Sequence, residues 1–122
     1  PPRVMIYLLI GVGAFFGAIS RFLLSSLLAK IMFLGLPLGT LTVNLIGCFL
    51  IGTFLAINFS NKDLISPLVI IGYLGSFTTF SAFTKEILLF SSTNGILFAY
   101  FTALIITSIC LLSTFIGYKM FS

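Results

Sequence analysis

Polar residues in this chain fall mainly in short breaks between long apolar runs, and the spacing of the breaks predicts four membrane-spanning helices. A helix needs about 20 predominantly apolar residues to cross a hydrocarbon core. The first run extends from about Ile6 to Leu28, interrupted by Ser20, Arg21 and a few further serines. The second extends from about Thr40 to Asn58, after a turn at Gly35-Leu36-Pro37. A polar loop, Ser60-Asn61-Lys62-Asp63, precedes the third, from about Ser66 to Phe90. Ser91-Ser92-Thr93-Asn94-Gly95 reads as a tight connection to the fourth, which continues to about Tyr118. The first run lacks a small-residue cleavage site and is expected to stay as a span.

The third run departs from the pattern of a plain anchor. Its middle reads Gly72-Tyr73-Leu74-Gly75-Ser76-Phe77-Thr78-Thr79-Phe80-Ser81-Ala82-Phe83. Glycines and paired threonines weaken helix propensity there, and hydroxyls can bond carbonyls freed by a break. Two half-helices meeting near Gly75 to Ser81 are expected; a continuous, kinked helix is the alternative. Irregular backbone survives at membrane depth only where protein or a watery path satisfies it.

Composition agrees with a membrane protein of one domain, residues 1–122. Hydrophobic residues make up 60% of the chain, charged residues 7%, and the mean hydropathy is +1.31. So little charge could not cover the surface of a small soluble domain. The cations Arg3, Arg21, Lys30, Lys62, Lys85 and Lys119 are scattered, so the net charge of +4 leaves no footprint for nucleic acid. Four spans put Arg3, Lys62 and Lys119 on one side, and Lys30, Lys85 and the intrahelical Arg21 on the other. An even split sets no orientation, which suggests a chain that inserts both ways and pairs as an antiparallel dimer. Gly13 and Gly17 form a small-residue face, and Gly47 and Gly52 flatten the second helix. Such faces serve an oligomer interface or intramolecular packing.

Chemistry is sparse. Histidine is absent, and Asp63 and Glu86 are too isolated to form an acid–base pair, so catalysis is not expected. Cys48 and Cys110 lie in apolar runs and read as small buried hydrophobes. A proton-coupled exporter of cations is a rival function for a small dual-topology protein. It needs a membrane-embedded carboxylate, and only Glu86, beside Lys85, is available. An assembly factor using its polar groups as interhelical glue is a third reading. The polar groups could also bind an anion. Asn44 offers two amide donors inside a span, and Thr40, Thr42 and Ser81 add hydroxyls. Phe80 and Phe83 lie three apart and share a helix face, and ring edges carry positive potential. Ordinary apolar packing is the competing role for these rings.

The run Gly39-Thr40-Leu41-Thr42-Val43-Asn44-Leu45-Ile46-Gly47, then Gly72 to Phe83, then Glu86, closely resembles the Fluc family of bacterial fluoride channels. Gly13-Ala14-Phe15-Phe16-Gly17-Ala18-Ile19-Ser20-Arg21-Phe22 is similar to that family's first-helix signature. The resemblance covers all four spans in order. It implies an all-α membrane protein, with its third helix broken, working as an antiparallel dual-topology homodimer in the bacterial plasma membrane, surrounded by lipid. Its role would be passive fluoride export through two pores, lowering toxicity. Asn44 would be an anion ligand at a pore mouth, and Phe80 and Phe83 an aromatic box shared between subunits. Ser81, Tyr100, Thr40 and Ser108 match hydroxyl-bearing pore positions. Arg21 would supply vestibule charge, or else be a snorkelling cation. A structural sodium ion would be held at the dimer centre by carbonyls of Gly75 and Thr78. Ser76 stands where many relatives carry a second glycine.

Overall fold

The computed structural model describes residues 1–122, and its four long helices follow the four apolar runs. Helix α1 spans Arg3–Leu27 and begins where Pro2 supplies the first accepting carbonyl, to the Ile6 amide at 3.2 Å. Helix α2 spans Leu38–Ala56. The third span is divided: its first half, α3, covers residues 62–77 and ends at Thr78 and Thr79, both extended. Helix α4 resumes at Phe80–Asn94, and α5 occupies Ile96–Phe121. The expected break is therefore real, and it falls at the threonine pair.

Between Ser66 and Leu74, α3 widens into π-helical turns. Pro67 lies at the start of that stretch and has no N–H for a helical ladder, a common origin of such irregularity. At its far end the two threonines take ψ of 157° and 123°, which no helix can continue.

Two details differ from the sequence reading. The turn before α2 is a small hairpin: β1, Met32–Phe33, pairs antiparallel with β2, Leu36–Pro37. Its two corner residues, Leu34 at φ 54° and Gly35 at φ 89°, are both left-handed, as the twist of a tight hairpin demands. The Phe90 ring lies against Gly35, and Leu36, Phe90 and Ala99 form a buried cluster there. The second difference is at Ser91 to Asn94, which continue α4 instead of forming a loop. Ser91 and Ser92 hydroxyls donate back to Leu88 and Leu89 carbonyls, both at 2.6 Å. Gly95 alone, at φ 87°, reverses the chain.

The spans pack as two parallel pairs, α1 with α3 and α2 with α5. Small residues set both contacts. A methyl on Gly13 would overlap the Leu68 carbonyl oxygen, and one on Gly17 that of Tyr73. The first-helix small-residue face is thus used inside the chain. Gly52 meets the Thr114 carbonyl and Gly117 that of Phe49, while the Ser113 hydroxyl donates to the Leu45 carbonyl at 3.1 Å. Only 16 of 122 residues are buried, so lipid or another apolar protein surface must cover the exterior.

Candidate functional site

One face of α2 carries Thr40, Asn44 and Cys48, one turn apart. This polar stripe faces the break and the helices that follow it. Thr40 is buried and donates its hydroxyl to Glu86 Oε2 at 2.5 Å. Glu86 is thereby held level with the first turn of α2, near the end of that span.

Asn44 makes the central contact. Its Nδ2 donates to the Thr79 carbonyl at 2.9 Å, and its Oδ1 accepts the Thr79 amide at 2.8 Å. The side chain acts as a substitute backbone for the broken helix. An amide has two N–H donors, so one is left over beside the break. Thr79 in turn caps α4: its Oγ1 accepts the Ala82 amide at 3.2 Å.

These two bonds have a consequence for the carbonyls upstream. In a continuous helix the Thr79 amide would bond Gly75 and the Ala82 amide would bond Thr78. Both amides are diverted, one to Asn44 and one to the Thr79 hydroxyl. Gly75 is exposed, and the Thr78 carbonyl points out of the helical direction. The Thr78 methyl packs where a side chain on Gly47 would go, which locks α2 against the break.

Arg21 lies at the other side of the same break. Its Nε donates to the Ser76 carbonyl at 2.9 Å, placing a cation at the C-terminal end of α3. One residue earlier, the Ser20 hydroxyl accepts from Tyr73 at 2.9 Å. Tyr73 itself stacks on Phe77, with centroids 5.9 Å apart.

Phe80 and Phe83 occupy the first turn of α4, with centroids 5.9 Å apart and planes tilted by 52°. Phe80 is 71% exposed, next to the half-buried Asn44 and Thr79. Both rings border two grooves. One, of about 210 Å³, also contains Asn44, Cys48, Thr79, Thr107 and Cys110. The other, of about 410 Å³, runs along α4 and α5 past Tyr100 and Thr107. Ser81 is exposed, with its hydroxyl 3.4 Å from that of Thr79. Ser108 is not brought to either groove in a single chain. It lies on another face of α5, near Phe101 and Leu112, and donates to the Leu104 carbonyl at 2.8 Å.

Sequence reasoning marked the threonine pair as part of the break but gave Thr79, Thr107 and the two cysteines no place in the groove. The four-residue spacing of Thr40, Asn44 and Cys48 was the available signal. Thr107, which borders both grooves together with the two rings, carries no comparable mark.

Comparison with known proteins covers nearly the whole chain. Residues 8–118 match the family described as CrcB-like protein, Camphor Resistance (CrcB). A protein of Campylobacter lari named "Fluoride-specific ion channel FluC" is 44% identical, covering 93% of this chain and 95% of the relative. Proteins of the same name from Nitratiruptor sp. and Elusimicrobium minutum are 40% and 37% identical, covering 92% and 93% of this chain.

Proposed function

The chain belongs to the CrcB-like family, as a multi-pass membrane protein, and we propose that it is a fluoride-selective channel. It carries fluoride passively out of the cytoplasm across the bacterial plasma membrane. Fluoride enters acidified cells as the neutral acid and dissociates inside; a channel lets the trapped anion leave down its gradient. The observation that carries this reading is the uncommitted Asn44 N–H in one groove with Phe80 and Phe83.

Fluoride is small and tightly hydrated, so a path must replace lost water with donors. The Asn44 N–H supplies one, and the hydroxyls of Thr107 and Tyr100 lie along the two grooves, whereas Ser81 borders neither and sits beside the Thr79 hydroxyl. Positive ring edges of Phe80 and Phe83 continue the path where hydroxyls run out. The N-terminal end of α4 adds favourable potential at the same level. Thr40 donates to Glu86 outside the two grooves, and Ser108 would enter a path only if a second chain faces it. Arg21 adds positive charge near the break.

The working unit in this reading is an antiparallel homodimer with two pores. The even split of cations supports dual insertion. The exposed Phe80 supports completion of the groove by another chain. At the centre, the Gly75 and Thr78 carbonyls suit a hard cation such as sodium, having lost their helical partners. One chain offers only two such oxygens, so a two-fold pair would supply the rest of the shell. The ion would be structural, bridging the breaks. The exporter reading is weaker, because Glu86 is held by Thr40 near the end of a span.

A planar bilayer with fluoride and chloride gradients tests this function. The predicted current reverses at the fluoride equilibrium potential. A reversal potential that follows chloride or protons would reject fluoride selectivity.

A further inference from the structure

Two cysteines border the groove that contains Asn44, Phe80 and Phe83, and nothing in the fluoride path requires them. Cys48 lies one turn beyond Asn44 on α2, and Cys110 lies on α5. Both are free thiols, both are half-buried, and both line the same groove of about 210 Å³. The close crossing of α2 and α5 at Gly52 and Gly117 fixes the two backbones that carry them. A pair of packing cysteines would need no opening to a groove.

We propose that Cys48 and Cys110 form a two-thiolate site for a soft, two-coordinate monovalent cation, of the silver(I) or copper(I) class. Thiolates select such ions, and the linear two-ligand geometry needs no third residue. No cluster of three or more histidine, cysteine or acidic residues exists in the chain, so sites of higher coordination have no ligand set. Binding is balanced by proton release: one silver(I) ion and two thiols give a bis-thiolate complex of charge −1 and two protons. That fixed negative charge would lie in the wall of the groove that Asn44 borders. If the groove is the fluoride path, which rests on the proposed function, the complex opposes anion entry and closes the channel.

Silver nitrate in chloride-free buffer is the probe, applied to the full chain in detergent and in liposomes. The expected stoichiometry is one silver ion per chain, with both thiols protected from maleimide. Cys48→Ser and Cys110→Ser each remove one of two linked ligands, so affinity falls about 100-fold. Fluoride efflux is expected to drop at least about tenfold with silver, because like charge opposes the anion. A dithiol should restore it. In the Cys48→Ser, Cys110→Ser double variant the rate with and without silver is the same, whatever that rate is. Silver binding that ignores either serine variant, or a double variant still blocked by silver, would overturn the site. A chain that binds silver through both thiols yet carries no fluoride untreated would instead reject the channel reading and leave the site standing.

Discussion

Asn44 and Thr79 are joined by two hydrogen bonds, so that a side chain of α2 completes the backbone ladder that α3 and α4 abandon. This pairing satisfies the backbone at the break, and the rest of the candidate site is arranged around it. Asn44→Ala leaves the Thr79 amide and carbonyl without partners, which should cost about 2 kcal/mol. Thermal unfolding in detergent measures that loss. Asn44→Asp keeps the acceptor for the Thr79 amide but loses the donor and adds negative charge. Its fluoride flux should fall as far as that of the alanine variant.

Gly47→Ala places a methyl where the Thr78 methyl lies. Either α2 or the break must shift, at a cost of about 1–3 kcal/mol. Stability in detergent should fall by that amount, while Gly11→Ala, with open space around it, should be close to neutral.

Thr79→Val keeps the shape but deletes the cap on α4, and about 1 kcal/mol should go with it. Thr79→Ser retains the oxygen and should recover most of the loss. The comparison of the two variants by unfolding separates capping from packing.

Phe80→Ile removes an exposed ring that few contacts within the chain require. Folding should change by no more than the ~0.5–1.5 kcal/mol of an aromatic pair, yet fluoride flux should be lost. Size-exclusion chromatography beside the flux assay distinguishes a broken path from a broken assembly.

Replacing sodium on both faces by a large organic cation should weaken assembly and lower flux together. The Gly75 and Thr78 carbonyls would then lack the cation that answers them. A dimer equally stable to dilution in both media would reject the sodium site.

Much of this architecture was legible in the chain. Apolar length alone marks the four spans, and the Gly72 to Ser81 region announces a break through its glycines and hydroxyls. The hairpin at Leu34–Gly35 was read only as a turn, because a leucine in the left-handed region has no signature in sequence. Ser91 to Asn94 look like loop residues, but their side chains bond back to carbonyls of their own helix. Asn44 stood out as an amide within a span, whereas its partner was hidden, because any residue supplies a backbone amide and carbonyl. The pairing of α2 with α5 also comes from tertiary packing that brings Gly52 and Gly117 together.

The most direct test is fluoride efflux from liposomes containing the purified chain, recorded with a fluoride electrode and with chloride as the control anion. Rapid fluoride release without chloride release, abolished by Phe80→Ile in an intact assembly, is the predicted result. Silence from a well-folded assembly, or equal release of both anions, would contradict a self-sufficient fluoride channel.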